Sequence, residues 1–167
     1  MKQYIGIKII NAKTMNRLEY NEFRGWKLPD DEDGTDEGYL VEYVDGGKPN
    51  TEEFKGYVSW SPKEQFENAY KLSGNLSFGG AIEYLKLGYK VARSGWNGKG
   101  MWLVLQGETP DIKPYAGSCY AKALSGTQEV VTIDAHIDMF TTGKTMQPGW
   151  LASQADILAN DWEVLNG

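Results

Sequence analysis

Residues 77–103 have the sequence SFGGAIEYLKLGYKVARSGWNGKGMWL and predict a helix followed by two strands with a glycine loop between them. The opening serine suits a helix cap, because its hydroxyl can accept from the first free backbone N–H groups. Phe78, Ile82 and Leu85 then form an apolar stripe at helical spacing, and Gly88 is typical of a helix end. The two strands are expected at Tyr89–Arg93 and Met101–Gln106, on either side of the loop Gly95–Gly100.

The rest of the chain alternates short strand and helix patterns in the same way. We therefore expect an α+β fold with small, mainly antiparallel sheets and short helices, arranged as two compact modules. The junction is expected at Leu72–Ser77, which separates a module of residues 1–71 from one of residues 74–167. In the first module Ile5, Ile7 and Ile9 alternate with other residues, as in a half-buried strand. Its other elements are expected to be a helix between Asn16 and Gly25, strands at Gly38–Tyr43 and Gly56–Trp60, and a helix that starts at Ser61-Pro62-Lys63-Glu64.

The later part of the second module contains one long alternating segment. Val130–Phe140 predicts a single strand whose polar face carries Asp134, His136 and Asp138. The segment before it, 107–128, is expected to be irregular. The segment after it is expected to form a turn at Thr141–Lys144, a short helix that begins at the capping box Ser153–Asp156 and ends near Asn160, and a last strand at Trp162–Leu165.

Composition narrows the class of protein. The chain has 167 residues, of which 41% are hydrophobic and 24% charged, so it can bury a core. It has no apolar run near the ~20 residues of a membrane span and no convincing signal peptide. A single cysteine, Cys119, excludes an intrachain disulfide and most cysteine-based metal sites, and nothing beside it indicates an activated nucleophile. The expected compartment is the cytoplasm.

Charge is distributed unevenly along the chain. The net charge is -6, which argues against binding to a nucleic acid polymer or to an anionic membrane. Residues 28–55 hold ten acidic and two basic residues, a sum of -8, whereas residues 73–107 hold four basic residues and one acidic residue, a sum of +3. The second segment can therefore attract a small anion, although a solvated surface explains the same pattern.

Three segments resemble familiar binding motifs but lack a residue, or the order of residues, that the motif requires. Gly143-Lys144-Thr145 lacks the glycine that a phosphate-binding P-loop needs five residues earlier, where Asp138 stands, so a hairpin turn is expected. The glycines that begin at Gly95 follow the order G-x-x-G-x-G between two strands, which does not match a dinucleotide fingerprint. The acidic run around Asp33 has Asp36 where a calcium loop needs glycine, so a solvated loop is expected there.

The glycine loop remains the best candidate for a ligand site. Glycines allow backbone N–H groups to approach an anion, Lys99 adds positive charge, Trp96 offers a flat face and Asn97 offers both a donor and an acceptor. The alternative is a plain hairpin connection whose tryptophan packs on the core. His136 between two aspartates is a second candidate, but three alternate strand positions span ~13 Å, which is too wide for one metal ion.

Several strings of the second module together resemble a known family. They are residues 77–103 as quoted above, Ile137-Asp-Met139, Gly149-Trp-Leu-Ala-Ser-Gln-Ala-Asp156 and Asn160-Asp-Trp-Glu163. These strings are similar to the second class of Thoeris anti-defence proteins, a family of small phage and prophage proteins. The first module resembles a separate small phage module without an established activity, through Tyr20–Trp26, Asp36–Tyr43 and Gly56–Pro62.

The resemblance implies sequestration of a nucleotide. Such proteins bind a cyclic ADP-ribose-type immune messenger, and in some cases cyclic oligonucleotides, without cleaving it. They need no cofactor, metal or catalytic residue, and they assemble as homotetramers or other homo-oligomers with pockets at or near subunit interfaces. Under this interpretation Trp96 stacks on the base, Arg93 and Lys99 meet the phosphates, and replacing Trp96 by alanine abolishes capture with little loss of folding. The full set of expected ligand contacts is Arg93, Trp96, Asn97, Gly98, Lys99, Met101, His136, Asp138, Trp150 and Ser153.

Two other functions stay open at this point. One is a structural or adaptor phage protein whose aromatic residues serve subunit contacts only. The other is a hydrolase for the same nucleotide that uses Asp134, His136 or Asp138.

Overall fold

The computed structural model describes residues 1–3, 6, 8–125 and 130–165. The chain divides into two compact units, Met1–Lys71 and Leu72–Gly167. The described residues form short helices and three small sheets in which every strand pair is antiparallel. The expectation of an α+β fold is therefore confirmed. No helix in the described ranges has the length and apolar character needed to cross a membrane.

The first unit is a three-stranded sheet in the order β1-β2-β3 with two helices. The predicted caps of the first helix are confirmed. The Asn16 side chain accepts from the N–H of Glu19 at 2.8 Å, and the Glu19 side chain accepts from the N–H of Asn16 at 2.9 Å. Gly25 ends the helix with φ of 67°. Of the expected strand around Ile5, Ile7 and Ile9, the first two residues lie outside the described part, and Ile9 lies just before the first observed strand, which begins at Ile10. The elements are β1 Ile10–Thr14, α1 Arg17–Arg24, β2 Gly38–Tyr43, β3 Tyr57–Pro62 and α2 Lys63–Ala69.

The predicted start of the second helix of this unit is wrong. Ser61 does not cap α2 but continues β3, where it pairs with Tyr39, while Pro62 pairs with Gly38. The pairing of β3 with β2 keeps both residues in strand conformation. The N–H of Lys63 continues this pairing by donating to the Glu37 carbonyl at 3.0 Å. The helix therefore begins one residue later, without a side-chain cap.

The second unit is built on a five-stranded sheet in the order β10-β4-β5-β8-β9, with α3 packed on it. The predicted cap of this helix is confirmed, because the Ser77 side chain accepts from the N–H of Gly80. On the inner face of the helix, Ala81 and Leu85 are buried against Val91, Leu103 and Trp162. The elements are α3 Phe78–Lys86, β4 Lys90–Arg93, β5 Trp102–Gln106, β6 Thr109–Ile112, α4 Cys119–Ala123, β7 Val131–Ile133, β8 His136–Phe140, β9 Met146–Gln147, α5 Gln154–Ile157 and β10 Trp162–Leu165.

The long strand expected at Val130–Phe140 is wrong. It is interrupted at residues 134–135, and its two halves join different sheets, since β7 pairs with β6 whereas β8 pairs with β5 and β9. The segment expected to be irregular contains β6 and α4 within its described part, and its residues 126–128 lie outside that part. The alternation of apolar residues did not reveal the change of partner, because both halves keep a period of two.

The end of the chain follows the prediction more closely. The residues around Gly143 form the expected hairpin turn between β8 and β9. The capping box at Ser153 and Asp156 is present, and β10 lies where the last strand was expected. The helix α5 ends at Ile157 rather than near Asn160, so it has only one turn.

Candidate functional site

Strand register brings the glycine loop, the β8–β9 turn and the start of β10 to one end of the five-stranded sheet. Arg93, the last residue of β4, pairs with Trp162, the first residue of β10. Trp102, the first residue of β5, pairs with Phe140, the last residue of β8. The loop that joins β4 to β5 therefore leaves the sheet beside the other two segments, which makes this end the candidate site.

Arg93 is held by two carboxylates at the base of the loop. Its Nε donates to Asp161 Oδ1 at 2.8 Å, and its terminal nitrogens donate to Asp156 Oδ1 at 2.8 Å and Asp161 Oδ2 at 3.3 Å. The three side chains are 12–30% exposed. A guanidinium placed between two carboxylates mainly fixes their positions. The expected phosphate contact by Arg93 stays a prediction, and the observed contacts give this residue a structural role.

Asp156 is the point at which the loop and α5 meet. One oxygen accepts from Arg93 and from the indole N–H of Trp96 at 2.9 Å. The other oxygen accepts from the hydroxyl of Ser153 at 2.6 Å and from its backbone N–H at 3.1 Å. Burial alone raises the pKa of Asp156, but the hydrogen bonds from Ser153, Trp96 and Arg93 outweigh it and lower the pKa to about 2. Asp156 is therefore a charged anchor at neutral pH.

Asp161 occupies the position that an external anion would take at the start of the loop. Its side chain accepts from the N–H of Gly95 at 2.8 Å, and its backbone carbonyl accepts from the N–H of Ser94 at 3.1 Å. The hydrogen bond from Arg93, supported by the one from Gly95, lowers the pKa of Asp161. At the start of the loop, the N–H of Gly95 is thus satisfied by the Asp161 carboxylate and the N–H of Ser94 by the Asp161 carbonyl.

Three tryptophans, one of them from the loop itself, pack against one another. The ring centroids of Trp96, Trp150 and Trp162 lie 5.5–6.2 Å apart, and all three pairs meet edge to face. Trp162 is fully buried, whereas Trp96 and Trp150 are half-buried against the same core. The structure therefore favours the packed-tryptophan alternative for Trp96, and the expectation that its loss hardly affects folding does not fit this packing.

The tip of the loop is free of such contacts. Asn97 and Lys99 are exposed, and in the part of the chain that the structure describes their side chains make no hydrogen bond or ion pair. Gly98 lies against the neighbouring turn: a Cβ on it would lie 2.6 Å from Thr142 Cγ2 and 2.8 Å from Met101 Sδ. The tip is therefore braced at Gly98 and presents polar side chains on either side of it.

His136 and Asp138 form a separate pair along β8. His136 Nδ1 lies 2.7 Å from the Asp134 carbonyl oxygen, to which it donates, and Nε2 lies 3.3 Å from Asp138 Oδ1. Asp138 also accepts from the N–H of Gly149 at 3.2 Å. His136 pairs with Gln106 at the start of β8, whereas the glycine loop lies at the other end of this strand, beside Phe140. The four strand positions from His136 to Phe140 span about 13 Å, so the strand does not bring His136 to the loop.

The structure thus separates the ten predicted contacts into three groups. Arg93, Trp96, Trp150 and Ser153 belong to or pack around the Asp156 network, whereas His136 and Asp138 lie along β8. The loop-tip group consists of Asn97, Gly98, Lys99 and Met101.

Two shallow grooves lie elsewhere, in the first unit. One of about 470 Å³ lies beside α2 and includes Asp36 and Glu37, and the other of about 340 Å³ includes Phe23 and Asn50. None of the ten predicted contacts lines either groove. Among the described residues, no group of three or more His, Cys, Asp or Glu side chains could hold a metal ion.

Two important residues of this site, Asp161 and Trp162, were not predicted. Asp156 was predicted only as the end of a capping box, not as a partner of the loop. The sequence feature that could have indicated them is the Asp-Trp pair at the start of the last strand. To assign that pair to the site, one would have to know that β10 pairs with β4, which lies about 70 residues earlier in the chain.

Comparison with known proteins places the candidate site inside a matched domain. Residues 76–165 match the model of the Tad2-like family, described as the Thoeris anti-defense 2-like domain. A curated relative, "Thoeris anti-defense 2" of Bacillus phage SP01, is 33% identical over 91 residues, which are 54% of this chain and 96% of the relative. The matched region contains the glycine loop, both aspartate partners of Arg93 and the tryptophan cluster. The chain belongs to the Thoeris anti-defense 2-like family of phage anti-defence proteins.

Proposed function

We propose that the second unit binds and sequesters a cyclic ADP-ribose-type signalling nucleotide without cleaving it. The observation that carries the proposal is the braced loop inside the matched domain, which presents Asn97 and Lys99 while Arg93, Asp156 and Asp161 hold its base. A loop whose base is held by hydrogen bonds and whose tip carries an amide and a cation suits a ligand that has a base edge, ribose hydroxyls and a diphosphate.

Tight capture requires more contacts than this loop supplies. A nanomolar dissociation constant corresponds to about -12 kcal/mol, and part of the gross binding energy is lost on ordering ligand and loop. An enclosed site between copies of the chain meets this requirement, and the proposed assembly is a homotetramer or another homo-oligomer. Leu151 and Leu158, which flank α5, are 89% and 75% exposed and supply apolar surface for such contacts.

The acid–base properties of the site support binding rather than hydrolysis. Asp156 has a pKa of about 2, and the pKa of Asp161 is lowered in the same way by Arg93. A general base works best with a pKa near the operating pH, so both carboxylates are poor proton acceptors. A second candidate function, nucleotide hydrolysis, is favoured by one observation only, the 3.3 Å approach of His136 Nε2 to Asp138.

A capture-and-release experiment separates these functions. The protein is incubated with cyclic ADP-ribose, freed of unbound nucleotide and heat-denatured, and the supernatant is analysed by chromatography. Sequestration predicts intact nucleotide in an amount no greater than the protein, whereas product in molar excess over protein would establish hydrolysis. If neither cyclic ADP-ribose nor a panel of cyclic oligonucleotides is captured or raises the melting temperature, the adaptor function replaces the proposal.

Variants at the loop tip locate the site. Asn97→Ala and Lys99→Ala change exposed side chains without described partners, so they should weaken capture while leaving the melting temperature unchanged. Lys122→Ala is the matched control, because Lys122 is an exposed lysine of α4 in the same unit. Equal capture by all three variants would place the site elsewhere.

A further inference from the structure

Two turns from different hairpins touch at the end of the five-stranded sheet. Gly98 in the β4–β5 loop lies so close to Thr142 in the β8–β9 turn that a Cβ on Gly98 would stand 2.6 Å from its methyl group. Lys99 directly follows Gly98, and Lys144 lies two positions beyond Thr142. The contact therefore brings together two segments that each carry an exposed lysine.

The β8–β9 turn holds Lys144 in an unusual backbone conformation. Its φ is 59°, in the left-handed region that glycine and asparagine occupy most easily. The turn is closed by hydrogen bonds of 2.9 Å from Thr141 N to the Thr145 carbonyl and 3.0 Å from Lys144 N to the Thr141 carbonyl, and the two threonine hydroxyls lie 2.8 Å apart. A long cationic residue at a strained turn position points to a role of its side chain outside folding.

The electrostatic surroundings leave this cation available. In the described part of the chain, neither Lys99 nor Lys144 forms an ion pair. The acidic groups of the neighbouring segment, Asp156 and Asp161, are both bound to Arg93. Each of the two turns therefore presents a lysine that forms no ion pair with a described residue, and the carboxylates of Asp156 and Asp161 are already paired with Arg93.

We infer that Lys144 is a second anion-binding residue of the site, and that Lys99 and Lys144 contact the diphosphate of one ligand from two adjacent turns. This inference rests on the proposed function and adds to it the β8–β9 turn as part of the site. An ammonium group binds a phosphate as a point charge, so two flexible lysines from separate turns suit the two phosphates of a diphosphate.

The test uses a variant whose effects on folding and on binding have opposite signs. Lys144→Gly removes the charge and also relieves the left-handed backbone strain, so its melting temperature should rise. Its affinity for cyclic ADP-ribose, measured by calorimetry on the full chain, should fall about tenfold, or about 1.4 kcal/mol. Lys144→Arg should retain most of the affinity, and Lys122→Ala should bind like the wild type.

A second measurement makes the inference independent of the nucleotide. Pyrophosphate is titrated into ¹⁵N-labelled protein, and the amide signals of Lys99 and Lys144 should shift together and saturate at one concentration. If Lys144→Gly binds cyclic ADP-ribose with wild-type affinity, the inference about Lys144 is overturned but the proposed function is not. Joint pyrophosphate shifts without any binding of cyclic ADP-ribose would support the two-turn site and overturn the proposed ligand, whereas the absence of both would overturn both.

Discussion

The indole N–H of Trp96 donates to Oδ1 of Asp156 at 2.9 Å, across 60 residues of sequence. This hydrogen bond ties the glycine loop to the first turn of α5, because the same carboxylate accepts from Ser153 at the helix start. A residue that sequence patterns assign to a local cap therefore also organises the loop proposed to hold the ligand. The consequences for stability and binding can be measured separately.

Replacing Asp156 by asparagine should destabilise the second unit. The amide keeps the size of the side chain but leaves Arg93 without one of its two carboxylates and can accept fewer of the four hydrogen bonds that Asp156 receives. The expected loss in the free energy of unfolding is about 3 kcal/mol, as for other buried ion pairs that lose one partner. Urea unfolding measures this loss of free energy, and hydrogen exchange of the backbone amides in β4 and β10 gives a second measurement of it.

The matched control for that change is Asp134→Asn. Asp134 is exposed and contributes only its backbone carbonyl to the hydrogen bond from His136. We expect a change within about 0.5 kcal/mol for this control. An Asp156→Asn protein as stable as the control would show that the network is not a determinant of stability.

Acid should remove the contribution of Asp156 in a defined window. The folded-state pKa of about 2 lies below the ordinary value of 3.8, so the stabilisation is complete above pH 3.8 and is lost as the pH falls towards 2. The difference in unfolding free energy between the wild type and Asp156→Asn should therefore shrink over this range. A difference that is constant from pH 5 to pH 2 would contradict the assigned shift.

A methyl group on Gly95 should disturb the base of the loop. Its Cβ would lie 2.4 Å from Asp161 Oδ2, and that carboxylate cannot move away easily because Arg93 holds it. Gly95→Ala should cost about 1–3 kcal/mol in unfolding free energy and weaken nucleotide capture. Gly79→Ala is the control, because its Cβ meets only Ser77 Oγ at 3.8 Å inside α3, where alanine should stabilise the helix by about 0.5–1 kcal/mol. Equal melting temperatures for both variants would refute the clash.

Trp96 should contribute to both folding and binding. Trp96→Ala removes two edge-to-face ring contacts and the hydrogen bond to Asp156, so we expect a loss of about 3 kcal/mol together with the loss of capture. Trp96→Phe retains a ring but not the N–H donor, and about 1 kcal/mol of destabilisation is expected. Denaturant unfolding of both variants measures these values, and an alanine variant with wild-type stability would restore the view that the indole is free for stacking.

The first unit offers an independent prediction at Asn50. Its side chain donates to the Val58 carbonyl and accepts from the Val58 N–H, both at 2.8 Å, and so acts as a short substitute for a paired strand beside β3. Asn50→Ala leaves both backbone groups of a fully buried residue without these partners. Thermal unfolding should show a loss of about 2 kcal/mol, whereas the exposed Asn68→Ala should be neutral.

Local elements were predictable because their signals are local. The caps at Asn16, Ser77 and Ser153 and the glycine at position 25 specify helix ends through hydrogen bonds within a few residues. Ser61 misled the prediction because the same residues also suit a strand, and pairing with Tyr39 decided between the two. Likewise, period-two alternation at Val130–Phe140 could not show that the segment changes sheets.

Sequence patterns were enough to predict the fold class, the position of most helices and strands, and the family of the second unit. The contacts of the candidate site residues, in contrast, follow from the way distant strands pair. The pairing of β4 with β10 brings Arg93 to Asp161, whose carboxylate accepts from the N–H of Gly95 at the start of the loop. The contact of Gly98 with Thr142 brings the β8–β9 turn, which carries Lys144, against the tip of the loop. Such contacts depend on strand order and register, which arise from burial of the whole sheet and leave no periodic signal at the residues that meet.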